Sequence, residues 1–275
     1  MQIERLTPHI GAMIHGLDLA QCSDTEFEQV YQAWYQNGVI FLPKQRLSPD
    51  DHLRVAARFG ELAPVHPFFP NVKAAPQVSI IETVRGKAPV ESFWHTDLTW
   101  QTRPSKASLL HAQHLPQVGG DTVWCSMRAV FNALSEEDKN RVRKLKAMHA
   151  LHAFDNIKHE DVNADWHQDV IKTARENPPV EHPMVTSLPE TGEEVLFINE
   201  QFTRFVVDFN RTQSNDADSR ALLDRLFALA RQPEFQVRFK WQVDTLAIWD
   251  NRSTQHYAVI DYGDEPRKHH RVTVY

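Results

Sequence analysis

Short strand-like segments, spread along most of the chain, are the feature that most constrains its fold. Seven runs rich in Val, Ile, Phe and Trp recur between residues 78 and 275, and several of them alternate apolar with polar residues. Because helices do not alternate regularly with these runs, the pattern disfavours a doubly wound parallel sheet and favours a β-sandwich or jelly roll decorated by helices. The runs are VSIIET, ASLLHAQHL, DTVWCS, EVLFIN, FQVRFKWQ, DTLAIWD and HRVTVY.

Four helices are predicted from capping residues and apolar spacing. In the first, Ser23 and Glu26 have the spacing of a capping box, and Gly38 marks the end. The predicted helices cover residues 23–38, 48–60, 135–148 and 218–229. The length of 275 residues predicts a single domain, 1–275. A polar stretch around 155–190, with four prolines and weak periodicity, is expected to form a lid or insertion over the mouth of the barrel.

Composition excludes several functional classes. The formal net charge of −6 argues against a nucleic-acid-binding surface. The sequence has no apolar run long enough to span a membrane, and no secretory signal is visible at residue 1. Cys22 and Cys125 lie far apart and in no metal-binding spacing, which predicts reduced thiols in a cytoplasmic protein.

The run FWHTDLTW, residues 93–100, carries the first candidate for chemistry. If it is a strand, His95 and Asp97 project from one face while Thr96 points away. One imidazole and one carboxylate are two of the three ligands in a 2-His-1-carboxylate iron(II) site. His256, which follows the strand TLAIW and the turn DNRST, is the candidate third ligand; a core histidine bonded to backbone is the alternative.

Two arginines near the end of the sequence suggest an anionic ligand. Arg267 and Arg271 lie four residues apart in or just before the last predicted strand. Burying an arginine without an anion is costly, and its planar guanidinium group suits a carboxylate. A dicarboxylate that binds iron at one end and an arginine at the other satisfies this requirement.

These motifs together resemble the taurine dioxygenase family of iron(II)/2-oxoglutarate-dependent oxygenases. The resemblance runs nearly end to end through GVIFLP, FGELAPVHPFFPN, WHTDLTW, LPQVGGDTVWCSM and WDNRSTQH, with arginines 11 and 15 residues after the histidine of the last motif. It implies a mainly β fold with flanking helices around a double-stranded β-helix, a cupin-like jelly roll. It also implies that the enzyme uses Fe(II), O2 and 2-oxoglutarate, and forms succinate and CO2. Family members are often dimers or tetramers.

The resemblance also assigns roles to residues. The implied iron ligands are His95, Asp97 and His256, and the retained Asp97 predicts hydroxylation rather than halogenation. Thr122 and Arg267 are expected to bind the far carboxylate of 2-oxoglutarate, and Arg271 to lie near its iron-bound end. The expected substrate-binding residues are His66, Glu91, Phe154, Phe202 and Arg271.

A small anionic substrate follows from His66 and Arg271, and a sulfonate such as taurine, which would release sulfite and an aldehyde, is the leading expectation. The run APVESFWHTD departs from the taurine enzymes because Val90 is apolar, although Glu91 could pair with an ammonium group. An alkyl sulfate ester or an aryloxyacetate-type carboxylate remains open. A zinc hydrolase and a non-catalytic binding barrel are more distant alternatives.

Several other side chains receive structural interpretations. His269 and His270 are interpreted as surface or pocket-rim residues, and Arg252 as a residue that holds the turn before His256. Phe93 and Trp100 are expected to form a dry wall beside the metal.

Overall fold

The computed structural model describes residues 1–83, 93–151, 164–207 and 217–275, and for residues 164–167 it describes the helical backbone alone. The fold is mainly β with few helices, as predicted. In the described ranges the strands are β1 (Gln2–Arg5), β2 (Ala12–His15), β3 (Val39–Leu42), β4 (Asn71–Val72), β5 (Ala75–Thr83), β6 (Ala107–His114), β7 (Thr122–Ser126), β8 (Lys146–His149), β9 (Val180–Pro183), β10 (Val185–Ser187), β11 (Glu194–Leu196), β12 (Thr203–Val206), β13 (Gln236–Phe239), β14 (Leu246–Asp250), β15 (Thr254–Ala258) and β16 (Arg267–Val274). The α-helices are α1 (Asp24–Asn37), α2 (Pro49–Ala57), α3 (Met127–Asn132), α4 (Glu136–Val142), α5 (Ala164–Glu176) and α6 (Ala217–Ala230).

Two sheets pack face to face at the centre of the molecule. The larger sheet has the order β1-β2-β3-β14-β6-β16-β5-β4, and the smaller has the order β13-β7-β15. Their inner faces meet through aromatic side chains. Phe41 stacks on Phe239 at 3.9 Å between ring centroids, and Trp124 contacts both Phe41 and Trp249. The pairing of strands is antiparallel except between β2 and β3, which agrees with the predicted sandwich.

The outer face of the larger sheet is covered by α1 and α2. Their apolar sides pack on Ile40, Leu109 and Val272 in a continuous buried cluster. The capping box predicted at Ser23 is present, because its hydroxyl accepts from the Glu26 amide while the Glu26 carboxylate accepts from the Ser23 amide. None of the helices in the described ranges has the length and apolar character needed to cross a bilayer.

A third sheet, with the strand order β12-β8-β9, corrects one expectation. The helix predicted for 135–148 ends at Val142 as α4, and the chain re-enters a sheet as β8, which pairs with β9 and β12. Strand pairing here outweighs a helical spacing of apolar residues. Within the stretch 155–190, the described part forms α5, β9 and the short strand β10, whereas residues 155–163 lie outside the described ranges.

Candidate active site

A β-bridge brings two histidines from distant parts of the chain together. The His95 amide donates to the His256 carbonyl at 3.0 Å, and the His256 amide donates to the His95 carbonyl at 2.8 Å. The ring centroids lie 4.0 Å apart, and both side chains are buried. Because His256 lies on β15, which pairs with β7, this bridge attaches the segment around His95 to the smaller sheet.

The predicted strand at residues 93–100 is wrong. The chain makes an isolated bridge at His95 and enters a turn at Asp97, and Leu98 adopts a left-handed φ of 58°. A branched residue in this conformation is strained and is held by its surroundings. The turn nevertheless carries Asp97 to the same side as His95, with Asp97 Oδ1 3.8 Å from His95 Nε2. Thr96 points away, and its hydroxyl donates to the Thr254 carbonyl.

Asp97 is buried and held in its ionised form. Arg271 Nη1 donates to Oδ1 at 3.1 Å, and the Ser108 hydroxyl donates to Oδ2 at 2.6 Å. Burial alone would raise the pKa of Asp97, but the Arg271 guanidinium, aided by the hydrogen bond from Ser108, holds that pKa well below its usual range. The carboxylate is therefore charged throughout the physiological pH range.

A buried hydrogen-bond network that no sequence motif marks lies behind Asp97. Trp249 Nε1 donates to Asn251 Oδ1, and Asn251 Nδ2 donates to the hydroxyls of Ser105 and Ser108. Ser105 in turn donates to the Asp97 carbonyl. These partners are distant in sequence and follow no motif spacing, so no pattern in the sequence links them. The network fixes both the side chain and the backbone of Asp97.

The three side chains fit a divalent metal ion. Their potential ligand atoms all lie within 4.8 Å of one another. His95 Nδ1 lies 2.8 Å from the Phe93 carbonyl, so Nδ1 carries the proton and Nε2 keeps its lone pair for a metal. Burial, followed by the neighbouring His95, lowers the pKa of His256 well below its ordinary value and keeps that ring neutral. Two neutral imidazoles and one carboxylate are ligands that suit iron(II).

A second polar cluster lies further along the inner face of the smaller sheet. Thr122 Oγ1 accepts from Trp241 Nε1 at 2.9 Å and from Arg267 Nη2 at 3.2 Å. Since both lone pairs of this oxygen are used, its hydrogen is left to donate to a ligand. Arg267 Nε also donates to the Gly120 carbonyl at 2.9 Å. Thr122 precedes Trp124, the residue opposite His256, by two positions, or about 7 Å along a strand. A short dicarboxylate can bridge this interval.

A pocket beside Asp97 contains three of the expected substrate-binding residues, His66, Phe202 and Arg271. Its described lining is largely apolar, and Asp97 is the one carboxylate among the described lining residues. The lining comprises His66, Phe68, Phe69, His95, Asp97, Leu98, Trp100, Gln201, Phe202 and Arg271. Glu91 and Phe154, the other expected substrate-binding residues, lie outside the described ranges.

His66 is neutral and has a defined tautomer. Burial, followed by the nearby Arg271, lowers the pKa of His66 to about 3. The Phe69 amide donates to His66 Nδ1, so the proton resides on Nε2. Of the expected dry wall, Trp100 is buried in the pocket lining, whereas Phe93 is 41% exposed and does not contribute.

The structural interpretation of Arg252 is confirmed, whereas that of His269 is wrong. Arg252 does hold the turn before His256, because it donates to both carboxylate oxygens of Asp250 and to Glu190. The interpretation of His269 as a surface or rim residue is wrong, since its side chain is fully buried. Strand alternation from Arg267 gives the reason, because His269 must face inward with it.

Comparison with known proteins reveals extensive similarity. A family model described as "Taurine catabolism dioxygenase TauD, TfdA family" matches residues 2–273. An alkylsulfatase from Acinetobacter baylyi is 32% identical over 283 residues, covering 100% of this chain and 84% of the relative. An alpha-ketoglutarate-dependent sulfate ester dioxygenase from Pseudomonas putida is 31% identical over 279 residues, covering 100% of this chain and 89% of the relative.

A solved structure extends the similarity to three dimensions. The crystal structure of a taurine dioxygenase from Burkholderia xenovorans superposes with a TM-score of 0.81 at 32% identity, covering 99% of this chain and 90% of that chain. The similarity therefore includes both sheets and the segments that carry the two polar clusters.

Proposed function

The chain belongs to the TauD, TfdA family of taurine catabolism dioxygenases, and on that premise we propose that it hydroxylates a small organic sulfate or sulfonate with an apolar carbon chain. It is an iron(II)- and 2-oxoglutarate-dependent dioxygenase that consumes O2. The substrate that the pocket supports best is a primary alkyl sulfate ester. The observation that carries this proposal is a phenylalanine-rich pocket with Arg271 and His66 beside the His-Asp-His cluster.

Charge and hydrogen-bonding capacity support an anion next to Arg271. The Arg271 guanidinium already donates to Asp97 and lies 4.9 Å from the Phe69 ring centroid, which leaves it at the boundary between the metal cluster and the apolar pocket. The neutral His66 adds an N–H donor without adding charge. A sulfate or sulfonate group offers several acceptor oxygens to these donors, while Phe68 and Phe202 line the space for the carbon chain.

The protein's own residues bind, orient and shield the reactants. When bound, iron(II) supplies the site at which O2 and the keto acid react. His95, Asp97 and His256 would hold that ion, and Arg267 with Thr122 would bind the far carboxylate of 2-oxoglutarate. His66 and Arg271 would orient the substrate so that the carbon next to its ester oxygen lies on the side of His95 and Asp97. The buried aromatic residues Trp100 and Phe202 exclude water from this carbon.

The proposed reaction of a sulfate ester accounts for both oxygen atoms of O2 and for the leaving sulfate. Hydroxylation of the carbon next to the ester oxygen uses one oxygen atom of O2, and the other enters succinate as 2-oxoglutarate loses CO2. The new hydroxyl loses its proton, the carbon–oxygen bond to sulfate breaks, and the products are an aldehyde and inorganic sulfate. A sulfonate hydroxylated at the carbon that bears its sulfur would instead break the carbon–sulfur bond and release sulfite and an aldehyde.

A sulfonate is the second candidate, because the family description and the Burkholderia structure both refer to taurine. Taurine itself carries an ammonium group that requires a counter-charge. Among the described lining residues the one carboxylate is Asp97, which already accepts from Arg271. An alkyl chain without an ammonium group therefore fits the described pocket better. An aryloxyacetate-type carboxylate would also satisfy the two donors, but it is not favoured by a specific contact.

The architecture proposed with this function is a single catalytic domain around a double-stranded β-helix. The two facing sheets, with the polar clusters between them, support this core. Residues 155–190 are proposed to form its lid. The position of α5 supports this proposal, because Val170 of that helix packs in one cluster with Trp100 and Phe202 of the pocket.

A product screen tests the substrate. The iron(II)-loaded protein is incubated aerobically with 2-oxoglutarate and, separately, hexyl sulfate, hexanesulfonate, taurine or phenoxyacetate, and succinate, aldehyde, sulfate and sulfite are measured. We expect hexyl sulfate to give succinate, hexanal and sulfate in equal amounts. Turnover of phenoxyacetate alone would reject the organosulfur proposal. Hexanol formed without O2 would instead indicate a hydrolase, the alternative for a zinc site.

A variant tests the pocket assignment. His66→Leu removes the neutral N–H donor and leaves an apolar side chain that still fills part of the pocket. The KM for hexyl sulfate should therefore rise about tenfold, as expected for loss of a hydrogen bond to a charged group. The KM for 2-oxoglutarate should not change. An unchanged KM for every substrate that turns over would remove His66 from the binding site.

A further inference from the structure

His269 lies between the two arginines on the inner face of the sandwich. Residues 267, 269 and 271 of β16 are buried, whereas 268 and 270 are partly exposed, so alternate side chains point to opposite faces. The register agrees, because His269 pairs with Ala112 and Ile81, both of which belong to the cluster between the two sheets. Each arginine is two residues from His269, about 7 Å along the strand.

The imidazole of His269 has an unusual environment for a core side chain. It is 0% exposed, and neither Nδ1 nor Nε2 has a hydrogen-bond partner among the described residues. Each buried polar atom left without a partner destabilises a protein, and nearly all such atoms are satisfied in native structures. A neutral imidazole offers one donor and one acceptor. An unpaired ring at this place therefore indicates a ligand that completes its bonding.

The contacts of His269 place it at the Arg267 end of the site. Its ring centroid lies 4.6 Å from that of Trp241, in an edge-on arrangement. Trp241 donates to Thr122, the same hydroxyl that accepts from Arg267. Burial, and then the charge of Arg267, lower the pKa of His269 well below its ordinary value. The ring is thus a neutral hydrogen-bond donor next to a guanidinium group.

We propose that His269 is a co-substrate-binding residue, which donates one ring N–H to the far carboxylate of 2-oxoglutarate beside Arg267 and Thr122. A carboxylate has acceptor capacity beyond what one guanidinium group and one hydroxyl fill. Binding the carboxylate gives the buried ring N–H a partner and so removes the destabilisation that an unpaired donor causes in the ligand-free protein. This gain adds to the free energy of 2-oxoglutarate binding. This inference rests on the proposed role of Arg267 at the same carboxylate.

Calorimetric titration of the Mn(II)-loaded protein with 2-oxoglutarate under anaerobic conditions tests the proposal without turnover. His269→Met fills a similar volume without a donor, and we expect the Kd for 2-oxoglutarate to rise about tenfold or more, the usual effect of losing a hydrogen bond to a charged group. His269→Gln keeps a donor and should recover most of this loss. His270→Met, on the opposite face of the same strand, is the matched control and should leave the Kd unchanged.

Thermal unfolding of the ligand-free variants separates binding from a structural role. Because His269→Met removes two unpaired polar atoms, its unfolding midpoint should equal or exceed that of the wild type. A lower midpoint with an unchanged Kd would overturn the proposal in favour of a packing role, as would an equal loss of affinity in His270→Met. Failure of the wild type to bind 2-oxoglutarate would reject the proposed function itself, which is a distinguishable result.

Discussion

At the scale of single residues, Asp97 carries the most interactions in the site. Asp97→Ala removes one proposed metal ligand and leaves Arg271 buried without this carboxylate. We expect no substrate-dependent succinate and a loss of about 3–5 kcal/mol in the free energy of unfolding, the usual cost of breaking a buried ion pair. Metal analysis, succinate assays and urea denaturation measure these effects. Full turnover by the variant would remove Asp97 from the metal site.

Gly120 shows how closely the backbone approaches Arg267, the residue proposed to bind 2-oxoglutarate. It has a φ of +71°, and a Cβ built there would lie between Pro116 Cγ at 3.1 Å and Arg267 Cδ at 3.2 Å. Gly120→Ala should therefore displace Arg267 and raise the Kd for 2-oxoglutarate about tenfold, since a charge-assisted hydrogen bond is weakened. Gly192→Ala is a matched control, because Gly192 has the same φ but no atom within 4 Å of its Cβ position.

Comparing Gly120→Ala with Gly192→Ala separates the backbone strain of a left-handed φ from the contact between the added Cβ and Arg267. Both substitutions place a side chain in the left-handed region, which costs about 1–2 kcal/mol. Anaerobic titration with 2-oxoglutarate should detect a change in Gly120→Ala and none in Gly192→Ala. Equal affinities in the two variants would mean that Arg267 tolerates the added carbon.

Residue identities could be predicted from the sequence where a motif fixes both type and spacing. The cluster of His95, Asp97 and His256 could be anticipated because His-x-Asp and a distal histidine followed by two arginines form one pattern. His269 could not, because a histidine beside another histidine carries no motif. Its burial becomes evident only when the strand is known to begin at Arg267, which fixes the alternation.

At the scale of elements, the turn between β14 and β15 positions the metal cluster. Asn251 joins Trp249 to Ser105 and Ser108, the two serines that hold Asp97. Asn251→Ala should cost about 3 kcal/mol in the free energy of unfolding, because several buried partners lose their hydrogen bonds. Metal affinity should fall about 10- to 100-fold, as it does when residues that orient a ligand are removed.

A control for Asn251 lies in the same turn. Ser253 is 1% exposed, but its hydroxyl has no hydrogen-bond partner among the described residues. Ser253→Ala should therefore change the free energy of unfolding by less than about 0.5 kcal/mol, because no hydrogen bond is lost. The metal affinity should stay unchanged. Comparing the two variants by urea denaturation and metal titration tests the network. Similar losses in both would show that the turn is merely sensitive to substitution.

Strands and helices could be predicted where the local sequence pattern agrees with the structure that tertiary packing favours. The strands β5, β6, β7 and β14 follow their sequence runs, and the capped starts of α1 and α2 follow the rule for Ser with an acidic residue three positions later. Residues 93–100 look like a strand but form a bridge and a turn. Alternation alone does not reveal that Leu98 takes a left-handed φ, because this conformation is set by its surroundings rather than by its own preference.

At the scale of the whole molecule, a sandwich was predictable from the distribution of strands, but the strand order was not. The neighbours of β16 are β6 and β5, and β14 lies between β3 and β6. Such pairings join segments more than a hundred residues apart, and the sequence contains no local signal for them. The consequence for function is direct, because this order brings Arg271 of β16 to Asp97.

The fold also buries histidines outside the two facing sheets, one on α2 and one on β8, and this makes stability depend on pH. His52 is 1% exposed and His149 is 0% exposed, and burial lowers the pKa of each to about 3. In the unfolded chain both pKa values return to about 6.5. Between pH 6.5 and 3 the unfolded state therefore binds more protons than the folded state, and the free energy of unfolding falls as pH falls.

The pH dependence of the free energy of unfolding can be measured between pH 6 and pH 5, where carboxylates contribute little. Between pH 6 and pH 5 each of the two histidines should lower the free energy of unfolding by about 1.2 kcal/mol as its unfolded form becomes protonated, or about 2.4 kcal/mol together. His52→Leu should reduce the slope by about 1.2 kcal/mol per pH unit in this window, even if its stability at pH 8 also changes. Urea denaturation at half-unit pH steps determines both slopes. Equal slopes in the variant and the wild type would mean that His52 is already protonated in the folded protein.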